Sequence, residues 1–115
     1  IVARTKHELD IVEEGLRQSD VKSFRIVADA SDRGYTDAVK IATMHRVKGL
    51  EFDEVILASV NAGVVPLAKM IDKRGDAVES RMADLEERAL LYVAITRAKK
   101  AVLILSFGKA SPYLL

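Results

Sequence analysis

Apolar and polar positions change rhythm several times along the chain. From Lys6 to Gln18, the apolar residues Leu9, Val12 and Leu16 recur at helical spacing with charges between them. Ile11 widens that stripe and Gly15 weakens it. Thr5 stands at the N-cap position and Glu8 follows three residues later, the spacing of a capping box. The pattern predicts a helix over 6–18. Before it, Ile1–Ala3 reads as a short apolar strand ended by Arg4. Phe24–Ala28 and Val39–Met44 read as further strands, separated by the polar, turn-rich DASDRGYTDA of 29–38. Glu54–Val60 is mostly apolar, which predicts a strand buried on both faces, as in a parallel sheet. Residues 61–80 hold Gly63, Pro66 and Gly75 and read as irregular. Arg81–Thr96 is the strongest helix, with Met82, Leu85, Ala89, Tyr92, Val93 and Thr96 along one face. Ala101–Phe107 is the last strand, Gly108 ends it, and SPYLL is a tail. Strands that alternate with helices predict an α/β fold, a mainly parallel sheet with right-handed crossovers. The chain shows no internal repeat and no low-complexity tract.

Composition narrows the function classes. The chain has 115 residues, half of them hydrophobic, which suits one domain with its own core. It carries 18 basic and 17 acidic residues, a formal net charge of +1. That balance argues against a strongly electrostatic nucleic-acid binder, but not against a local basic groove. Cysteine is absent, so disulfides and thiolate metal sites are excluded. The histidines His7 and His45 are too few for a zinc site without carboxylates, and no metal site is expected. No apolar run reaches membrane-spanning length and no signal peptide is visible. The expectation is a soluble, cytoplasmic protein without membrane contact. The chain starts at Ile1, without methionine and inside a strand, so a segment of a longer protein is expected.

The chemistry gathers around KIATMHRVKGLEFDEVIL, residues 40–57, where a basic turn interrupts two apolar runs. Three charged residues stand against apolar segments. Arg4 ends a strand, Glu51 precedes one, and Arg97 closes the long helix. In open α/β sheets ligands collect beyond the carboxyl ends of the strands, and Arg4, Thr43 and His45 would lie there. Guanidinium groups suit phosphate oxygens through planar donors that do not titrate. A carboxylate suits ribose hydroxyls.

TMHRVKGLEFDEVIL followed by ERALLYVAITRAKK closely resembles motifs V and VI of UvrD/Rep-type superfamily 1 DNA helicases. NAGVVP is similar to the Gly-x-x-Pro turn after motif V, and IVARTKHELDIVEEGL to the strand–arginine–helix segment after motif IV. The resemblance runs from Ile1 to about Phe107. It implies the second of two RecA-like (P-loop NTPase-type) domains, residues 1–115, acting with an N-terminal RecA-like domain of the same protein, with ATP, Mg2+ and single-stranded DNA. By the resemblance, Arg97 matches the arginine finger that reaches the γ-phosphate, and Glu51 matches the ribose contact. Gly49 lets the backbone turn closely beside the nucleotide, and Thr43 and His45 match positions near the single strand. The crease would then join the nucleotide site to the DNA track. In a plain βαβ reading, however, Arg97 and Glu51 need not meet, and their convergence follows from the resemblance alone.

Three departures from the family pattern matter. The motif IV arginine has no match, and Arg4 does not take its place. Only the 28–38 loop stands near the place where larger members carry an accessory subdomain before motif V. No Gly-x-x-x-x-Gly-Lys-Ser/Thr phosphate loop is present, and Asp53-Glu54 precedes a strand where a Walker B pair would follow one. The isolated chain is therefore expected not to hydrolyse ATP, with the metal held by the other motor domain.

Plainer roles stand beside these. Arg97, with Lys99 and Lys100, would complement the carbonyl end of its helix. Arg4 would be an ordinary strand-end charge and Glu51 a solvated turn residue. His45 would be a loop histidine and Thr43 a strand-end hydroxyl. His7 and the set Lys69, Lys73 and Arg74 read as solvated surface. Tyr92, Phe24, Phe52 and Phe107 read as core. The alternative functions are a RecA-like interaction module that has lost ATP turnover, or the motor part of a helicase–nuclease subunit.

Overall fold

Thr5 and Asp20 bracket the first helix, α1 (Lys6–Gln18). The Thr5 Oγ1 accepts the Glu8 backbone N–H at 3.5 Å, while Glu8 leaves the reciprocal half of the box open, its Oε2 buried and unpartnered. At the other end Asp20 takes a left-handed φ of 61°. The N–H of Val21 reaches back to Leu16 O and that of Asp20 to Arg17 O. This is the Schellman arrangement, with aspartate in the place glycine usually holds. Leu9 is buried and Val12 and Leu16 pack beside it, whereas Ile11 is 60% exposed.

The computed structural model describes residues 1–27, 37–71 and 76–114. Its strands are β1 (Val2–Ala3), β2 (Ser23–Arg25), β3 (Val39–Thr43), β4 (Phe52–Leu57) and β5 (Ala98–Ile104). They form one five-stranded sheet in the order β2-β3-β1-β4-β5, and every named pairing is parallel. The helices α2 (Ala68–Ile71) and α3 (Ala77–Ile95) and a 3-10 turn, Pro112–Leu114, are the other elements among the described residues. The α/β class with a mainly parallel sheet is as expected.

Strand alternation sorts the core onto two faces. Val2, Ala42, Val55 and Leu57 join Leu90, Leu91 and Ala94 of α3 in the larger cluster. The neighbouring residues Ala3 and Ile41 face the other way and join Leu9 of α1. The right-handed crossover rule gives the same result: β1→β2 and β4→β5 run in opposite directions along the sheet, so their helices cover opposite faces.

Several expectations change. The strand over 24–28 is shorter and starts at Ser23; Ala28, with most of the expected 29–38 loop, lies outside the described residues, as do Lys73 and Arg74. The fourth strand starts at Phe52 rather than Glu54 and is not buried on both faces. Asp53 and Glu54 within it are exposed and Ile56 is half-buried, because α1 packs over β1, β2 and β3 while only α3's side is covered along β4. The stretch expected to be irregular contains α2 and the first turn of α3, started by Asp76, whose carboxylate accepts the N–H groups of Val78 and Glu79. The last strand begins at Ala98 and ends at Ile104, so Phe107 lies beyond it, 89% exposed.

The largest correction concerns the face of α3. Ala83, Glu87, Leu90, Leu91 and Ala94 are buried, while Met82, Leu85 and Tyr92 are exposed, Tyr92 by 68%. The helix has apolar residues on both sides, so periodicity alone could not choose between them. Tyr113 of the expected tail packs on the larger cluster, and its hydroxyl donates to Asp84 at 2.5 Å. Ser111 is buried and donates to Val65 O. Among the described residues, no helix is long and apolar enough to cross a membrane.

Candidate functional site

Residues 44–51 carry the chain from the carboxyl end of β3 to the amino end of β4. Two buried side chains, Met44 and Val47, pin this crossover into the larger cluster. The Met44 N–H donates to Ala3 O at 2.9 Å, Arg46 N–H to Thr43 O and Leu50 N–H to Val47 O, both at 3.0 Å. With Met44 and Val47 turned inward, His45, Arg46 and Lys48 are exposed. This answers why basic residues sit in the crease: two apolar pins hold a polar bridge across the sheet.

At its first end the crossover meets Arg4, just past β1. Arg4 was expected to be an ordinary strand-end charge, but it is buried. Its Nε and Nη2 donate to Glu87 Oε2 and Oε1 at 2.9 and 2.6 Å, with side-chain exposures of 7% and 4%. A cavity of about 290 Å³ opens there, lined by Arg4, His45, Lys48, Glu87, Leu90 and Val93 among others. Although His45 is exposed, the cavity wall withdraws part of its ring from water, and this partial desolvation lowers its pKa below the ordinary value, helped by Arg4 and Lys48 and opposed by Glu87. Thr43, the last residue of β3, is half-buried at the same edge. Glu87 was missed from sequence; it lies 83 positions from Arg4, and no local signal links them.

At the other end Gly49 turns at φ 80°, a left-handed conformation that glycine tolerates best. Leu50 and Glu51 follow, beside the start of β5. The Phe52 N–H donates to Arg97 O at 2.8 Å, and Arg97 Nη1 reaches Leu50 O at 3.4 Å. Arg97 Nε also donates to Val93 O at 3.1 Å and Nη2 to Thr96 Oγ1 at 3.3 Å. The guanidinium thus caps its own helix end while standing against the crossover. Glu51 is exposed, with Lys99 Nζ at 3.8 Å from its Oε2. The topology therefore brings Arg97, Glu51 and Gly49 to one edge, at the amino ends of β4 and β5. Thr43 and His45 lie at the opposite edge with Arg4. His7 and Lys69 are exposed surface.

The family model for the UvrD-like helicase C-terminal domain matches residues 3–109. The chain belongs to the UvrD-like helicase C-terminal domain family. A probable DNA helicase II homolog of Rickettsia conorii is 41% identical over 73 residues, 64% of this chain and 10% of the relative. The ATP-dependent DNA helicase Rep of Buchnera aphidicola subsp. Acyrthosiphon pisum is 36% identical over 94 residues, 82% of this chain and 13% of Rep. The ATP-dependent DNA helicase PcrA of Staphylococcus aureus is 35% identical over 79 residues, 69% of this chain and 10% of PcrA. The helicase C-terminal domain described here thus spans only 10 to 13% of these relatives' length. Among solved structures, the C-terminal domain of a possible DNA helicase from Lactobacillus plantarum WCFS1 superimposes with a TM-score of 0.68. It is 22% identical, and the match covers 98% of this chain and 58% of that one. At that identity it supports the fold.

Proposed function

We propose that this chain is the second motor domain of an ATP-dependent superfamily 1 DNA helicase or translocase, working with an N-terminal RecA-like domain. The observation that carries the reading is that Arg97 and Glu51 stand at one edge, at the amino ends of β5 and β4, with Arg97 bonded to Leu50 and Phe52 on either side of Glu51. Arg97 has five N–H donors, and three are engaged within the chain. One N–H on each terminal nitrogen remains for γ-phosphate oxygens. An arginine so placed offsets charge that develops in phosphoryl transfer. The exposed Glu51 carboxylate accepts hydrogen bonds from ribose hydroxyls, and Gly49 keeps side-chain bulk away from the nucleotide.

These residues are offered for the nucleotide and not for its metal. On this reading Mg2+ would be held by the N-terminal domain, since this chain carries no Gly-x-x-x-x-Gly-Lys-Ser/Thr phosphate loop. ATP, when bound, supplies the phosphoanhydride whose cleavage drives movement. Thr43 and His45, at the far end of the crossover, take the single-stranded DNA. The crossover itself links the two ends, because Met44 and Val47 tie it to the core that packs on α3.

Arg97's bonds to Val93 and Leu50 favour a second reading, a non-hydrolysing interaction module in which this arginine only caps its helix. Replacing Glu51 with Ala in the full-length helicase separates them. The motor reading expects a raised KM for ATP with kcat and melting nearly unchanged. An unchanged KM would remove Glu51 from the nucleotide site.

A further inference from the structure

We infer that Arg4 and Glu87 are positioning residues: their buried pair selects the rotational setting of α3 and so aims Arg97. The inference rests on the motor reading of Arg97 above. Met82, Leu85, Ala89, Tyr92 and Val93 form one apolar side of α3 and Ala83, Leu90, Leu91 and Ala94 another. Apolar burial is non-directional, so either side could lie on the sheet at comparable gain. Glu87 lies on the second side, and in the observed setting its carboxylate meets Arg4 in two directed hydrogen bonds of 2.9 and 2.6 Å, while the adjacent Glu86 lines the cavity beside them. A buried ion pair is weak evidence for stability, and its best-attested use is to fix register.

Geometry connects the pair to the finger. Glu87 is eight residues before the end of α3 at Ile95, about 12 Å along the helix, and Arg97 follows two residues later. Over that distance α3 is held by Leu90, Leu91 and Ala94, and Arg97 bonds back to Val93 on the same helix. A rotation of α3 therefore shifts the helix end that Arg97 follows and strains its bonds to Leu50 and Phe52, whereas Glu51 sits on the crossover, off the helix. The pair also borders the cavity with His45 and Lys48, so the end of the crossover proposed for DNA touches the element that carries the finger.

The test uses the full-length helicase and the double variant Arg4→Met/Glu87→Met, which removes the pair without leaving a lone buried charge. DNA-stimulated kcat is expected to fall between about tenfold and a hundredfold, the scale of a misplaced catalytic group. KM for ATP should stay within about twofold, since the ribose contact is untouched. In an Arg97→Ala background the same double change should lower kcat no further. Arg4→Lys, which keeps the charge but loses the bidentate fork, should give a smaller fall and serves if the double variant does not fold. Unchanged kcat in these variants overturns the inference, as does an undiminished fall in the Arg97→Ala background. If Arg97→Ala lowers kcat while the pair variants do not, this inference fails and the motor reading stands. If Arg97→Ala changes nothing, both fail.

Discussion

Replacing Arg4 alone with Met should damage the fold far more than replacing both members of its pair. Arg4 donates twice to Glu87, and both side chains are almost fully withdrawn from water. Each charge-assisted bond is worth about 1.5–3 kcal/mol, and stripping one partner from a buried pair costs about 3–5 kcal/mol because the other charge stays buried. With a urea slope of about 2 kcal/mol/M for a domain of this size, a loss of about 4 kcal/mol lowers the unfolding midpoint by about 2 M. The double change to Met should recover most of that loss, since apolar replacement of both partners is often neutral or better. Urea unfolding followed by circular dichroism measures both. A single variant that loses less than about 1 kcal/mol would refute the reasoning, because only a solvated pair is worth so little.

Leu57→Ala, at a fully buried position in the larger cluster, should cost about 2–5 kcal/mol, read as a drop in melting temperature. The His45 pKa is lowered from its ordinary 6.5, first by burial and then by Arg4 and Lys48. The unfolded chain therefore binds a proton there that the folded chain resists, and stability is full above pH 6.5 and declines as pH falls toward the lowered value. His45→Gln should flatten that part of a stability–pH profile measured by urea titration; an unaltered slope would mean that other groups cause it.

The first helix could be read almost to the residue, because a capping residue, helical spacing and a charged outer side agree over 6–18. Its C-terminal turn is held by Asp20 in a conformation more usual for glycine, so no glycine marked it. For α3 the local signals disagreed with the structure. Apolar residues lie on both sides, and the choice was made by Glu87 and Arg4, which are distant in sequence and carry no periodic signal. The exposure of Asp53 and Glu54 in β4 follows from where α1 lies across the sheet, a tertiary fact. As for the site, the basic turn and its flanking strands were plain from residues 40–57. The meeting of Arg97 with the Leu50–Glu51 segment was not, since it depends on β4 and β5 starting side by side. Only the motif resemblance anticipated it.

DNA-stimulated ATP hydrolysis by the full-length protein, wild type against Arg97→Ala, with melting and DNA binding followed in parallel, tests the proposed role of Arg97 most directly. If Arg97 is the finger, turnover falls by roughly three to five orders of magnitude while melting and DNA binding stay near wild type. Unchanged turnover would rule out the finger and leave Arg97 as the cap of its own helix.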